Sequence, residues 1–489
     1  MSGRLKVDPS ATFRNVVLGH ELSELGEEAL KPLLYVNVAH VQMLRKQQII
    51  SEDTANRLIE ALQRMDKEGL SVLDTEHSED LYFAVEQKLI QELGMNEAGN
   101  IHVGRSRNDI YSTVYRMILR EKLLNIQKDV LALADKVLRI AELQKETIMP
   151  GYTHTQHAQP ITVGYYFLGV FDVLLRDVQR MKHAFAFVNK SPLGAAALTT
   201  TSFDLDRQVT SDCLGFDSII CNAYDAISGR DYTADVMSAL NAIVSDISRV
   251  VTDLMTWNMF EFSFIEIPDE YAVISSIMPQ KKNPAALEFL RSAASWVLGD
   301  TIGVLSSPKG VSYSDIRDAT KYLYTPIWHS LEVTSHVVQL FGEILPNIQW
   351  HKERMLEVTN EGYSTMTDLA DFLVQHYAIT FRESHHIVAL FVRESLNTSK
   401  KANEVRVEVL NQICHELGYT FTLTQQELMD VLDPRACLER RHVVGGTANE
   451  QIRGMLDENW KRFKDERRWY LEKCSELKKM EESIYEHSI

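Results

Sequence analysis

Ten consecutive residues, Ser275-Ser276-Ile277-Met278-Pro279-Gln280-Lys281-Lys282-Asn283-Pro284, set two hydroxyls, two lysines and two amides among prolines. Proline removes a backbone donor and restricts the residue before it, so the stretch is poor helix and poor strand. It reads as a shaped loop whose polar groups converge on a ligand; a solvated surface turn is the plainer alternative. A loop that gathers donors and a lysine suits negative charge, whether carried by a substrate or developing during reaction. A serine hydroxyl is a weak base unless nearby positive charge stabilises its alkoxide. Lys281 and Lys282 can provide that field, and Asn283 can donate to a substrate oxygen.

Two further constellations have the same character. Gly104-Arg105-Ser106-Arg107-Asn108-Asp109 opens a long apolar-periodic run. Ser106 or Asn108 can cap that helix and Asp109 suits its first turn. Capping does not explain Arg105 and Arg107, because positive charge is unfavourable at a helix N-terminus. A guanidinium beside free backbone donors can grip a carboxylate in two-pronged fashion. A structural, salt-bridged turn is the alternative, and the glycine spacing excludes a phosphate-binding P-loop. The second constellation is Gly151-Tyr152-Thr153-His154-Thr155-Gln156-His157-Ala158-Gln159-Pro160. Thr153 offers a hydroxyl, and His154 is the side-chain type that exchanges protons near neutrality, or else a hydrogen-bonded core histidine. His154 and His157 have no acidic residue or cysteine beside them, which leaves metal ligation without a donor set.

Asp206-Arg207, Tyr232 and Ser384-His385-His386 read as structural, and the absence of Gly-x-Ser-x-Gly argues against a serine hydrolase. The formal net charge of -17 disfavours nucleic acid or an anionic membrane as a general partner, so local cations must capture any anionic substrate. Five cysteines without Cys-x-x-Cys spacing suggest neither a disulfide framework nor a thiolate metal site and fit a reducing cytoplasm. The N-terminus lacks the apolar run of a signal peptide, and no apolar stretch approaches the ~20 residues of a membrane span. The expectation is a cytoplasmic protein.

The elements that must position these groups are helical. From Asn108 to about Glu146 there is neither proline nor glycine, and Ile110, Val114, Met117, Leu124, Leu131 and Leu138 recur at threes, fours and sevens. Pro150 and Gly151 close that run, and a second begins near Tyr232 with Val236, Leu240, Val244, Ile247, Val251 and Leu254. Strand-like alternation is nearly absent. The reading is all-α: residues 1–105 of shorter helices, 106–360 a bundle of long helices broken by polar loops at 149–160, 190–206 and 265–284, and 361–489 shorter helices again. Such long amphipathic helices need partners, and helices from other subunits can supply them.

Together the three polar segments resemble the fumarase/aspartase superfamily, specifically its argininosuccinate lyase branch. Ser275 to Pro284 is similar to the superfamily's signature loop, Gly104 to Asp109 to the branch's Gly-Arg-Ser-Arg-Asn-Asp motif, and Gly151 to Pro160 to its histidine motif. Weaker likeness at Ser191-Pro192-Leu193-Gly194, Thr367 to Asp371, Arg382 to Val388 and Leu432-Asp433-Pro434 extends it over nearly the whole chain. The resemblance implies a cofactor-free, all-helical homotetramer: a central bundle flanked by two smaller helical domains, with each active site built from three chains. It implies an anti β-elimination that turns an N-substituted aspartate into fumarate and an amine. Ser275 would remove the Cβ proton, and Lys281 and Asn283 would stabilise the resulting aci-carboxylate. Ser106, Arg107, Asn108, Thr153 and Ser276 would hold carboxylates, and His154 is the candidate to protonate the departing nitrogen. The signature loop would close over the substrate.

The amine side departs from the branch. Tyr82 stands in Glu79-Asp80-Leu81-Tyr82 where the pattern has histidine, and His102-Val103-Gly104 replaces a His-Thr-Gly turn. Ile110 follows the Arg-Asn-Asp run in place of glutamine. Thr155 and His157 replace leucine and arginine, and Ile274 precedes the paired serines in place of glycine. Tyr313-Ser314-Asp315-Ile316-Arg317-Asp318 puts Arg317 where a glutamine would contact the amino-acid part of argininosuccinate. An added arginine suits an amine that carries a carboxylate, so an aminopolycarboxylate such as ethylenediamine-N,N'-disuccinate is the expected substrate. Argininosuccinate is the alternative. A hydratase or ammonia lyase of the same superfamily, and a structural relative without activity, are the other classes.

Overall fold

The computed structural model describes residues 7, 10–13, 16–17, 26–75, 78, 80–320 and 323–486, without the side chains of Glu27, Asp318 and Thr320. Glu79 therefore lies outside the described residues. The N-terminal part contains α1 (Gly26–Lys46), α2 (Glu52–Glu68) and α3 (Leu81–Leu93). Five long helices follow: α4 (Arg107–Leu143), α5 (Val163–Val188), α6 (Tyr232–Trp257), α7 (Ala285–Ser306) and α8 (Tyr324–Ile344). These pack along one another as the central bundle. Beyond α9 (Lys352–Glu361) come α10 (Met366–Tyr377), α11 (Phe381–Asn397), α12 (Val407–Glu416) and α13 (Gln425–Leu432), and then α14 (Asn449–Ser483), which returns along α4 and α5. The all-α expectation holds. No helix among the described residues is long and apolar enough to cross a membrane.

The apolar period fixes which face of each long helix is buried. Ile110, Val114, Met117, Leu124, Leu131 and Leu138 of α4 are all buried, as are Val236, Leu240, Val244, Ile247, Val251 and Leu254 of α6. Burying a side chain of this size contributes roughly 1.5–3 kcal/mol, and the largest cluster draws on α4 to α8 together with Ile452, Leu456 and Phe463 of α14. A second cluster joins α1, α2 and α3 to the first turns of α4, and a third holds α10 to α13.

The helices end where the sequence stops them. Ser106 caps α4 and forms a reciprocal box with Asp109, which satisfies donors that a helix start otherwise leaves open. At the other end Gln144 closes the helix, and Gly164 is required there: a Cβ would overlap the Ala141 carbonyl oxygen and lie 2.6 Å from Lys145 Cα. Its absence lets α5 start directly against the end of α4.

Among the described residues eight short strands accompany the helices, more β-structure than the sequence pattern suggests. β1 (Ile148–Thr153) and β2 (Gln156–Thr162) form an antiparallel hairpin where a polar loop is expected. β3 (Lys190–Ser191) pairs in parallel with β4 (Ser218–Ile219). β5 (Ile265–Glu266) pairs with β8 (Gln349–Trp350), and β6 (Val273–Ile274) with β7 (Lys282–Asn283), both antiparallel. The two-residue strands β3 to β8 are clamps on loops, and period-2 alternation cannot declare itself over two residues.

Candidate active site

β6 and β7 turn the Ser275 segment into a tight hairpin. Ser275 N–H donates to the Lys281 carbonyl at 3.1 Å, and Lys281 N–H donates to the Met278 carbonyl at 3.1 Å. Inside this frame Ser275 Oγ accepts hydrogen bonds from the backbone N–H groups of Met278 (3.0 Å) and Ile277 (3.3 Å). Two fixed donors aimed at one oxygen favour its negative form. Ser276 and Lys281 are exposed, whereas Asn283 is half-buried in β7. Lys282, read from the sequence as a second source of positive field, is turned away: its ammonium pairs with Asp269 at 2.6 Å and Glu266 at 3.1 Å. Lys281 is the lysine of this loop left facing solvent.

The β1–β2 hairpin carries Thr153 and His154. Thr153 pairs with Gln156, so His154 and Thr155 are the two residues of the turn. Both have positive φ, 54° and 60°. A two-residue turn matches the twist of its strands by taking both residues left-handed, which normally calls for asparagine and glycine. A β-branched threonine there is strained, by about 1–3 kcal/mol. Thr155 Oγ1 donates to the His154 carbonyl at 2.6 Å, and the His154 ring stands exposed at the tip.

Ser106, Arg107 and Asn108 sit at the start of α4. Asp109, fully buried, accepts from the backbone N–H groups of Ser106, Gly194 and Ala196, each at 2.9 Å, and so ties the helix start to the 192–197 loop. Burial outweighs these donors and raises its carboxyl to about 6. The amide of Asn108 donates to the Ala197 carbonyl at 3.3 Å. Arg107 pairs with the buried Asp80 at 3.0 Å and lies over the Phe83 ring, with its side chain 44% exposed. Arg105 is different from its neighbour. It is buried and donates to the Ile101 carbonyl at 2.6 Å, so it supports the turn from beneath.

Tyr82, at the position where the resemblance leads one to expect histidine, is buried. Its hydroxyl meets His102 Nδ1 at 2.5 Å and Glu86 at 3.2 Å, and burial pushes that hydroxyl well above the usual phenol range. Arg317 begins a short surface helix, Arg317–Thr320. The preceding segment is fastened to residues 224–230: Tyr313 donates to Asp225 at 2.5 Å and stacks near Tyr224, and Asp315 pairs with the buried Arg230 at 3.5 Å. Of the residues read as structural, three have evident packing or capping contacts. Tyr232 is buried against Tyr324, Asp206 caps a short helix, and Ser384 donates to the Ala370 carbonyl at 2.7 Å.

One chain does not bring all these groups together. α4 has 37 residues, about 55 Å at the helical rise. Arg107 is at one end, while the hairpin with Thr153 and His154 follows the other. α6 starts beside the first turns of α4, where Arg116 covers Tyr232, and ends by the β1–β2 hairpin, where Trp257 meets Tyr166. The Ser275 loop follows that end of α6, and α7 returns the chain to Tyr313 and Arg317 at the Arg107 end. Thus Ser106, Arg107, Asn108 and Arg317 occupy one end of the bundle. Thr153, His154, Ser275, Ser276, Lys281 and Asn283 occupy the other.

Sequence reasoning passed over Asp80, which orients Arg107, and the Ile277 and Met278 amides that face Ser275 Oγ. Asp80 lies inside a quoted motif, but nothing in its spacing announces a partner 27 residues away. Backbone donors have no letter in the sequence at all. The bond from Ser106 N–H to Asp109, by contrast, fits the Ser-x-x-Asp spacing of a capping box, whereas those from Gly194 and Ala196 come from 85 and 87 residues away.

Comparison with known proteins gives a consistent picture. A lyase family model matches residues 25–299, and an argininosuccinate lyase C-terminal model matches residues 363–439. Argininosuccinate lyase 1 of Shouchella clausii is 35% identical over 460 residues, covering 94% of this chain and 92% of that protein. Argininosuccinate lyase of Methanocaldococcus jannaschii is 35% identical over 464 residues, covering 95% and 94%. Among solved structures, EDDS lyase in complex with formate superposes with a TM-score of 0.88 at 30% identity, covering 94% of this chain and 91% of that one. An EDDS lyase variant with bound fumarate gives 0.88 at 28% identity, covering 99% and 96%.

Proposed function

The chain belongs to the fumarase/aspartase superfamily, in its argininosuccinate lyase branch, and is a carbon–nitrogen lyase; from that premise we propose that it eliminates an amine from an N-substituted aspartate to leave fumarate. The observation that carries this reading is the pair of backbone donors on Ser275 Oγ. They supply in advance the stabilisation that an alkoxide needs to act as a base. Ser275 then takes the Cβ proton, and the electrons of that bond pass into the adjacent carboxylate. Lys281 and Asn283 stabilise the extra charge. The C–N bond breaks next, and the departing nitrogen takes a proton from His154, held at the tip of its hairpin. Ser106, Arg107, Asn108, Thr153 and Ser276 hold the carboxylates of the succinyl half.

These groups lie at opposite ends of one chain, so the complete site forms between subunits of a homotetramer. The Arg107 end of one subunit meets the Ser275 loop and the His154 hairpin of others.

For the amine, the preferred substrate is an aminopolycarboxylate such as ethylenediamine-N,N'-disuccinate. The support is Arg317 at the surface and the structural likeness to EDDS lyase. Argininosuccinate is the second reading, carried by the names of the sequence relatives. The test is fumarate absorbance during incubation with the diamine disuccinate, argininosuccinate, malate and unsubstituted aspartate. Fumarate from the diamine disuccinate is expected. Cleavage of argininosuccinate with none from the disuccinate reverses the preference, and turnover of malate or aspartate alone identifies a hydratase or ammonia lyase. Ser275→Ala should abolish turnover and leave assembly intact.

A further inference from the structure

His157 replaces the arginine expected in the histidine motif, and the structure gives its ring two contacts that an arginine would not make in the same way. Across the hairpin its partner is Tyr152, with rings 5.1 Å apart at 83° and the Tyr152 hydroxyl 3.3 Å from Nε2. Tyr152 in turn lies against Phe262, just before β5. The other edge of the imidazole fits into the notch left by Gly362, the residue that ends α9 and begins the run toward α10. A Cβ at 362 would collide with Nδ1 and lie 2.6 Å from Cε1. Gly362 has φ -100° and ψ 77°, a conformation open to alanine, so what a Cβ there would have to displace is the ring of His157, itself on an exposed side chain.

The tip that this pair supports is the strained one, His154 and Thr155, both left-handed. Hairpin register passes directly from Tyr152–His157 to Thr153–Gln156 and then to the turn. We propose that His157 is a positioning residue: wedged between Tyr152 and Gly362, it fixes the strained turn that presents His154, and so couples the residue 361–362 junction to proton delivery. This rests on the elimination reading for the role of His154, though not for the brace itself.

The experiment compares Gly362→Ala, His157→Ala and the double variant in the full-length protein, using the best substrate of the panel above. Each single variant should lose about tenfold in kcat, in keeping with the sensitivity of reacting groups to displacements near 1 Å, while KM and the melting temperature stay near wild type. His157→Ala introduces no collision and keeps the test valid if Gly362→Ala fails to fold. Because both changes act through one contact, the double variant should lose no more than the worse single. A Gly362→Ala kcat within twofold of wild type overturns the proposal, as does a double loss equal to the product of the singles.

Hydrogen exchange over residues 152–157 reads the brace without turnover. It should speed up in both single variants, and unchanged exchange also overturns the proposal. If wild type releases no fumarate from any substrate while exchange responds as expected, the functional reading fails and the brace stands.

Discussion

The two ends of the long helix bundle are built on opposite plans. At the Arg107 end almost every polar group has a partner: Asp109 accepts three backbone donors, Asp80 holds Arg107, and Arg105 is buried on the Ile101 carbonyl. At the Ser275 end the framework is local, made of two-residue strands and a hairpin whose turn residues are strained. There Lys281, Ser276, Thr153 and His154 face solvent. A binding surface for carboxylates works best rigid and pre-aimed. A loop that must enclose a substrate and generate a strong base needs freedom to close and donors that become effective once water is gone. On the elimination reading proposed above, the Arg107 end supplies a pre-aimed grip on carboxylate, the Ser275 end supplies the base together with the Thr153 and Ser276 contacts, and assembly of subunits would join the two.

The largest expected effect tests that division directly. Ser275→Ala and Arg107→Ala should each reduce turnover by at least ~10³-fold, because each removes a group from every site. Mixed after denaturation and refolded together, the two inactive proteins should regain turnover well above either parent, since some sites then draw an intact Arg107 from one subunit and an intact Ser275 from another. Hybrid tetramers, verified by native mass spectrometry, that stay as inactive as their parents would place both residues of a site in one chain and break the comparison.

Within the chemistry end, two adjacent lysines make a sharper contrast. Lys281→Met should lower kcat by roughly 10²-fold, as expected when a donor to transition-state charge is lost. Lys282→Met should lower it far less, because Asp269 and Glu266 already neutralise that ammonium. Equal losses in a steady-state comparison would show that the loop rearranges when it closes. At the recognition end, Asp80→Asn should raise KM about tenfold with little change in kcat, the pattern of lost uniform binding, because Arg107 keeps its charge but not its aim.

How much of this was legible in the chain follows from the reach of each signal. The periodic apolar positions of α4 and α6 gave those helices to within a few residues, because every turn repeats the pattern. The motif residues named the candidate groups, and their resemblance to a known lyase branch named the chemistry. The β1–β2 hairpin was not legible, since His154-Thr155 violates the usual composition of such a turn. Lys282 was misassigned for a related reason. Its two carboxylates lie 13 and 16 residues upstream, and a charge reads as available until its partners are found. The separation of the site was visible in principle, since the rise of an uninterrupted helix from 108 to 146 already puts Arg107 far from His154.

The smallest effect concerns stability at the recognition end, and its sign is opposite to that of a common ion-paired carboxylate. Burial raises Asp109 from 3.8 to about 6, so between these values the folded protein binds more protons at this group than the unfolded chain does. Stability from this group is therefore fully present below about pH 4 and declines as pH rises through about 6. Asp109→Asn does not titrate there, and its amide N–H₂ faces backbone donors where the carboxylate oxygen accepted them. The variant should be less stable than wild type, by about 2 kcal/mol at neutral pH. That gap should widen as pH is lowered toward 4. Urea unfolding of both proteins at several pH values measures it. A gap that instead widens with rising pH would mean that the N–H groups of Ser106, Gly194 and Ala196 outweigh burial, making the start of α4 an anion-binding cradle in its own right.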